Sequence, residues 1–299
     1  MIVLTGATGF LGSHLLGKLL SQGYKVIAVV RVNSNFSRIN KWLNHPNFRF
    51  YNCEEISLRS IFEQNKVDVI VHTATEYGRG NGSISKILDA NLILPIRLLE
   101  LGIEYGVQCF INTDSYFNKA GSTYSNLLNY SLSKKSLLVW LKQFSTQINI
   151  INVTLEHMYG PYDSRSKFVE SLVQAIAVER ISQVNLTHGH QKRDFIYVDD
   201  VTDAFVTLIK YGSNHSFTFK NFEVGTGNSL QVRDFSQSVK DLSHSSSALC
   251  FGAIEYRSDE IMDSKADVSA MNDLGWTAKV NIEEGLLKIF TLYMVDIDY

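Results

Sequence analysis

The sequence has little that would fix it covalently or draw it to a charged partner. Its three cysteines, Cys53, Cys109 and Cys250, are scattered over 299 residues. An odd, widely spaced set fits neither a disulfide framework nor a metal knuckle, so a reducing compartment, the cytoplasm, is the expectation. Net charge is -2, which excludes the basic footprint of a nucleic-acid binder. No apolar run approaches the ~20 residues of a membrane helix. The opening stretch MIVLTGATGF lacks a basic leader and a cleavage site, and it reads as a buried strand rather than a signal peptide. There is no internal repeat and no low-complexity segment, and the serine patch from Ser243 to Ser247 reads as a loop. His188 and His190 share a glycine-containing loop with no third ligand, so no metal is expected. What is present is a 45% hydrophobic, 19% charged chain, the balance of a well-packed globule long enough for two lobes.

The stretch Tyr130-Ser131-Leu132-Ser133-Lys134 carries the clearest chemistry. Residues four apart on a helix share a face. A free phenol, with a pKa of about 10, is a poor acid near neutrality. A neighbouring ammonium favours the phenolate and brings that pKa toward the working range. The pair is therefore a candidate acid/base unit, although a surface tyrosine beside a solvated lysine would have the same spacing.

The chain's start supplies the context. Ile2-Val3-Leu4 is a short apolar strand, followed by Thr5-Gly6-Ala7-Thr8-Gly9-Phe10-Leu11-Gly12 and then helical periodicity. Strand, glycine-rich turn and helix form a dinucleotide-binding arrangement, here spaced G-x-x-G-x-x-G. Gly6 allows the tight turn, Gly9 lets backbone approach a pyrophosphate, Gly12 lets the helix pack against the strand, and the helix N-terminus presents free N–H groups to the phosphates. The second strand, Lys25 to Val30, ends at Arg31, with Arg38 beyond. An acidic residue there would favour NAD, whereas a guanidinium suits a 2′-phosphate. The expectation is NADPH, with NADH possible. Cys53-Glu54 after the third strand is a candidate adenine neighbour. Val67 to Val71 is an apolar strand ending in His72-Thr73-Ala74, where the small Ala74 lets backbone approach the cofactor. The loop Glu76-Tyr77-Gly78-Arg79-Gly80 follows, then a helix from about Ser85 to Tyr105 carrying Asn91. The strand Gln108 to Asn112 opens onto Thr113-Asp114-Ser115-Tyr116, hydroxyls placed to bond a substrate oxygen.

This constellation resembles the short-chain dehydrogenase/reductase superfamily, and the length points to its extended branch, the NAD-dependent epimerase/dehydratase family of nucleotide-sugar enzymes. Glu156-His157-Met158-Tyr159-Gly160-Pro161 is similar to that branch's N-x-Y-G-P segment, with His157 at the usual asparagine. Arg193-Asp194-Phe195-Ile196-Tyr197-Val198-Asp199-Asp200, Gly225-Thr226-Gly227, and Arg257 through Leu274-Gly275-Trp276 match later segments. The phrases H-T-A-T-E-Y-G, N-T-D-S-Y-F and L-E-H-M-Y-G-P resemble the nucleotide-sugar 4-ketoreductases within it.

The resemblance implies an α/β fold: a Rossmann-type doubly wound parallel sheet over residues 1–160, and a smaller C-terminal sugar-nucleotide lobe over 161–299, with the segment 195–211 packing back on the first. It implies reduction of a nucleotide-diphospho-4-keto-6-deoxyhexose, either dTDP-4-keto-6-deoxyglucose or its CDP-linked 3,6-dideoxy analogue, for a bacterial surface polysaccharide. Tyr130 would protonate the 4-keto oxygen, Lys134 would hold the nicotinamide ribose, and Thr113 would polarise the same oxygen. Gly6, Thr8, Gly9, Phe10, Leu11, Gly12, Arg31, Glu54, Ala74 and Asn91 would line the cofactor. Glu76, Tyr77, Ser115 and His157 would meet the sugar, and Arg193 and Arg257 its diphosphate. A homodimer would form through the helices near 85–105 and 130–145. A 4,6-dehydratase needs an Asp-Glu pair after the threonine. Here Ser115 follows Asp114, which counts against dehydration. A 4-epimerase with tightly bound NAD is the alternative, and a non-catalytic cofactor-binding regulator would have lost Tyr130 or Lys134.

Overall fold

The computed structural model describes residues 1–79, 82–119 and 127–295. Gly80 of the loop read from the sequence lies outside these. The chain forms two compact units. One comprises Met1–Thr154 with Thr202–Phe222, the other Leu155–Val201 with Glu223–Tyr299.

The first unit is built on a seven-stranded sheet. In chain order its elements are β1 (Ile2–Thr5), α1 (Phe10–Ser21), β2 (Val26–Val30), β3 (Phe48–Asn52), α2 (Leu58–Gln64), β4 (Val69–His72), α3 (Ile84–Leu88), α4 (Leu94–Glu104), β5 (Cys109–Ser115), α5 (Leu128–Phe144) and β6 (Asn149–Leu155). The chain continues through β7 (His157–Tyr159), α6 (Phe168–Val173), β8 (Gln183–Leu186), β9 (Lys192–Arg193), β10 (Phe195–Tyr197), α7 (Val198–Asn214), β11 (Phe219–Val224), β12 (Leu230–Gln231), α8 (Val232–Leu242), β13 (Ala248–Phe251), β14 (Asp263–Ser264), α9 (Ser269–Asp273) and α10 (Ile282–Val295).

Strand order is β11-β6-β5-β4-β1-β2-β3. The β1–β2, β1–β4, β2–β3 and β4–β5 pairs are all parallel. This is the doubly wound order, which reverses between β1 and β4 and binds ligands beyond the carboxyl ends of those strands. The sequences fit this placement. IVLT, VIAVV and VIVH are buried end to end, as strands covered on both faces must be. On one face Val3, Ile27, Val29, Ile70, Phe110 and Ile150 form a core with Ile61 and Phe62 of α2, Leu98 and Leu99 of α4, and Leu137 and Leu141 of α5. α1 packs on β1 and β2 through buried Leu15, Leu16, Leu19 and Leu20. It ends in a Schellman motif: Gly23 N donates to Leu20 O at 3.0 Å and Tyr24 N to Leu19 O at 3.0 Å, with Gly23 at φ 80°.

The second unit has short parallel pairs, β7 with β10 and β8 with β13, and a three-stranded sheet β12-β9-β14. Its core stacks Phe195 on Phe235 at 4.1 Å, with Tyr159 edge-on to Phe235 at 5.8 Å. Tyr293 of α10 donates to the Glu170 carboxylate of α6 at 2.9 Å. Among the described residues, no helix is long and apolar enough to cross a membrane.

Helix α5 has two different faces. Leu141 is fully buried, whereas Val139 is 69% exposed and Leu128, Leu132 and Trp140 are also exposed. Leu141→Ala should cost about 3 kcal/mol in chemical denaturation, by lost transfer and a cavity. Val139→Ala should change the stability of the monomeric chain by under about 0.5 kcal/mol.

Candidate active site

The glycine-rich turn is built by close approach. Gly6 sits at φ 70°, and a Cβ there would lie 2.6 Å from Ala74 N. A Cβ on Gly12 would lie 2.0 Å from Gly6 O. Gly9 N donates to Gly6 O at 2.8 Å, closing the turn. The loop after β4 is stitched to it: Thr73 Oγ1 donates to Thr5 O at 2.7 Å and Ala74 N to Thr5 Oγ1 at 3.2 Å. Helix α1 then starts at an exposed Gly9 with no side-chain cap and no acidic residue in its first turn. Bare N–H groups at the positive end of a helix, beside a glycine cradle, fit a pyrophosphate. Phe10 and Leu11 are buried, and Thr8 is half-buried with its carbonyl 3.5 Å from Arg38 Nη1.

Arg31 and Glu54 follow β2 and β3, whose ends pair Val30 with Asn52. Both are exposed. Arg31 N donates to Ser34 Oγ at 3.0 Å and Glu54 N to Asn52 Oδ1 at 3.1 Å, leaving the two side chains on one strand-end rim.

Asn91 lies in a π-helical turn between α3 and α4 and is fully buried. Its Nδ2 donates to Glu76 O at 2.8 Å and to Ser133 Oγ at 3.0 Å, and its Oδ1 accepts from Glu76 N at 2.8 Å. Ser133 Oγ donates onward to Tyr130 O at 2.7 Å. Asn91 thus clamps the Glu76 backbone to α5. Glu76 Oε1 in turn accepts from Gly78 N at 3.1 Å. The clamp presents Tyr77, whose ring stacks on Tyr130 at 4.9 Å with 26° between planes, while Arg79 lies 5.3 Å over Tyr77.

Tyr130 and Lys134 share the buried face of α5 and are 4% and 2% exposed. Lys134 Nζ donates to Thr113 O at 2.8 Å. Burial pushes its pKa down to about 8, opposed by Asp114. The sequence expectation is a phenol brought toward neutrality. The structure moves it the other way: burial pushes Tyr130 well above the usual phenol range, Tyr77, Asp114 and Tyr116 add to this, and a Ser115 hydrogen bond pulls against it. Asp114 is buried and accepts from Ser115 N at 2.8 Å, Asn118 Nδ2 at 2.7 Å and Asn152 Nδ2 at 3.1 Å. Burial raises its pKa, while Lys134 and these hydrogen bonds oppose the rise. Among the described residues, Thr113 Oγ1 is buried with no hydrogen-bond partner.

His157, Arg193 and Arg257 belong to the second unit. Burial, with Arg193 and Lys167 adding, pushes His157 down to about 3, so its imidazole is neutral. Arg193 is buried; its guanidinium pairs with the Glu260 carboxylate and donates to Ile261 O and, at 2.8 Å, to Lys192 O. Glu260 N donates to Arg257 O at 3.1 Å, so Arg193 fastens the turn that carries Arg257. Asp194 is a hub: it accepts from Thr226 N at 2.8 Å, Gly227 N at 2.9 Å and Ala266 N at 3.1 Å.

Sequence reasoning passed over Ser133, Asn118, Asn152 and Glu260. The signal for Asn152 was present, a polar residue inside the apolar run of β6. The other three act through partners remote in sequence or unmarked by any spacing.

A doubly wound sheet, a glycine cradle at a helix start and a buried Tyr-x-x-x-Lys pair define a nicotinamide-dependent oxidoreductase of Rossmann type. The sequence matches the NAD dependent epimerase/dehydratase family over residues 2–225, and the chain belongs to that family. It is 36% identical over 297 residues to CDP-abequose synthase of Salmonella muenchen, covering 97% of each chain. It is 34% identical to CDP-abequose synthase of Salmonella typhimurium, covering 95% of each. Its fold matches the crystal structure of UDP-glucose 4-epimerase with UDP-glucose from Thermotoga maritima, with a TM-score of 0.83 at 23% identity over 100% of this chain and 99% of that one.

The titration of Lys134 has a stability consequence. Its pKa falls from the ordinary 10.5 to about 8 on folding. The unfolded chain therefore binds the extra proton between those values, and folding gains as pH rises through that window. Relative to Lys134→Met, which cannot titrate, the wild type should gain on the order of 3 kcal/mol between pH 8 and 10.5 in denaturation measured across that range.

Proposed function

We propose that this enzyme reduces the 4-keto group of a nucleotide-diphospho-4-keto-6-deoxyhexose. The observation that carries the reading is the buried Tyr130–Lys134 pair beside Thr113 at the end of β5. Likeness along almost the whole chain to proteins named CDP-abequose synthase supports the substrate class. A bound reduced nicotinamide supplies the hydride. Tyr130 gives its proton to the 4-oxygen. Thr113, with a buried hydroxyl lacking a partner among the described residues, holds the same oxygen and stabilises the developing charge. Lys134 supplies the cation beneath the site and holds the nicotinamide ribose. The first turn of α1 takes the cofactor's pyrophosphate, with Gly6, Thr8, Gly9, Phe10, Leu11, Gly12 and Ala74 as its walls. Arg31 receives a 2′-phosphate, which makes NADPH the preferred reductant, and Glu54 lies toward the adenine. Asn91 serves the cofactor indirectly, through the loop it clamps.

On the substrate side we assign Glu76, Tyr77, Ser115 and His157 to the sugar and Arg257 to the diphosphate. Arg193 we assign to holding the Arg257 turn, because its fork is already filled by Glu260 and two carbonyls. Asp114 is not a dehydratase acid here: it receives three hydrogen bonds, and Ser115 stands where the second acid would be. Cytoplasmic location fits the three free thiols. The exposed apolar residues Leu128, Leu132, Val139 and Trp140 on α5 and Ile84 and Leu88 on α3 support a homodimer through these helices.

The reading is tested by following reduced nicotinamide absorbance with the dTDP-linked 4-keto-6-deoxyglucose, and with CDP-linked substrates bearing or lacking the 3-hydroxyl. Turnover on one of them is expected. Tyr130→Phe should lower kcat by about 10²-fold or more with the fold intact, and Arg31→Asp should weaken NADPH about tenfold or more relative to NADH. No turnover, together with NAD purifying on the protein and interconversion of two sugar nucleotides, would establish a 4-epimerase instead. Sedimentation should give twice the 33.8 kDa chain mass, and Val139→Glu should halve it.

A further inference from the structure

The ring of the acid is held by a loop outside its own helix. Tyr130 sits on α5, and the Tyr77 ring from the loop after β4 stacks on it, with centroids 4.9 Å apart and 26° between planes. That separation lies in the favoured range for offset aromatic pairs. The Phe117 ring, from the turn after β5, stands edge-on to Tyr130 at 6.4 Å and 86°. Arg79 reaches back over Tyr77, its guanidinium carbon 5.3 Å from the ring centroid, close enough for a cation–π attraction. Tyr77 is half-buried and Arg79 exposed, whereas Tyr130 is buried.

The backbone that carries Tyr77 is held on both sides. Glu76 N donates to Asn91 Oδ1 and Glu76 O accepts from Asn91 Nδ2, each at 2.8 Å. Gly78 N donates to Glu76 Oε1 at 3.1 Å. Gly78 is at φ 65°, and a Cβ there would lie 2.4 Å from Ile87 Cδ1 of α3. Both residues flanking Tyr77 are thus fixed, and the ring between them lies on Tyr130.

What the stack achieves follows from the shape of a phenol. The helix restricts χ1, which places the oxygen. χ2 is a soft, two-fold torsion, and the phenolic oxygen lies on its axis. Turning the ring leaves the oxygen where it is. The O–H bond keeps to the ring plane, because an oxygen lone pair is conjugated with the ring. The plane therefore sets the direction in which the proton points. Tyr77 across a face, with Phe117 edge-on, selects that plane.

We propose that Tyr77 is a positioning residue for the acid: its ring, stacked on Tyr130 and backed by Arg79, fixes the plane of the phenol and so the direction of its proton. The inference rests on the ketone reduction proposed above, and it gives the Tyr77 ring a duty separate from the sugar contact. In that step the carbonyl carbon takes a hydride from reduced nicotinamide, the Tyr130 O–H bond breaks, and a new O–H bond forms on the sugar 4-oxygen. The phenolate is reprotonated from water before the next turnover.

The test separates ring from hydroxyl. With the 4-keto sugar nucleotide that the wild type turns over, Tyr77→Leu should lower kcat about 10- to 100-fold, the scale of a misdirected reacting group. Tyr77→Phe, which keeps the ring, should hold kcat near the wild-type value, and a lost sugar contact should show there in KM alone. Arg79→Met, at an exposed position, should lower kcat about 2- to 5-fold, the worth of an exposed cation–π pair. The stack is also read without turnover. The full chain is labelled with 3-fluorotyrosine and its ¹⁹F spectrum recorded without added nucleotide, the Tyr130 signal being the one lost in Tyr130→Phe. Tyr77→Leu removes a ring current and should displace that signal; Tyr77→Phe should leave it near its place. A Tyr130 signal unmoved in Tyr77→Leu, or an equal loss of kcat in Tyr77→Phe and Tyr77→Leu, overturns the proposal. If Tyr77→Leu does not fold, Arg79→Met decides, and an unchanged kcat there overturns the proposal. A displaced signal in a protein whose wild type reduces no 4-keto sugar nucleotide would support the stack and overturn the reduction reading instead.

Discussion

A buried ammonium at the carboxyl edge of the sheet sets the terms for everything around it. Lys134 is 2% exposed, and an unpaired charge in such a place is expensive. It is kept by the Thr113 carbonyl and by the field of Asp114. Asp114 is in turn kept ionisable by three amide donors. Asn152, one of those donors, passes the demand on: it accepts from Asn112 Nδ2 at 2.7 Å and donates to Asn221 Oδ1 at 2.8 Å. A polar row therefore crosses β5, β6 and β11, in a sheet whose β1, β2 and β4 strands are buried, mainly apolar runs. The row weakens the core as packing, and it is explained by the charge it supports.

The same edge carries a second constraint, the close approach of the β1 turn to the loop after β4. Gly6 leaves no room for a side chain against Ala74, and Thr5 accepts from both Thr73 and Ala74. Asn91 then fixes the far end of that loop to α5 through Ser133. The glycine cradle, the loop and the helix bearing Tyr130 and Lys134 are one mechanically connected piece. A shift in any of them moves the distance between the cradle and the acid. Such a clamp positions a site within the tolerance that chemistry requires.

What was legible in the sequence follows from how local each signal is. The strand runs, the glycine turn and the four-residue spacing of Tyr130 and Lys134 are short-range patterns, so the doubly wound sheet could be read from them. The phenol's direction of titration could not. Spacing suggested that Lys134 would lower it, but burial supplied by residues far away in the chain dominates. Asn91 stood out as a polar residue in a helix, yet its partners Glu76 and Ser133 are 15 and 42 positions away. Glu260 carried no signal, because nothing in its local sequence points to Arg193, 67 positions earlier.

The two arginines show how the same functional group takes different duties by environment. A guanidinium has five donors in a fixed fork. At Arg193 those donors meet a carboxylate and two carbonyls inside the protein. A diphosphate would have to displace Glu260 and leave that carboxylate buried without its partner, at a cost of several kcal/mol. Arg257 sits on the turn that the Glu260 pairing holds, three residues before it. An anion-binding arginine works best when its backbone is fixed in advance. In the function proposed above the duties divide accordingly, with Arg193 fixing the turn and Arg257 as the proposed contact.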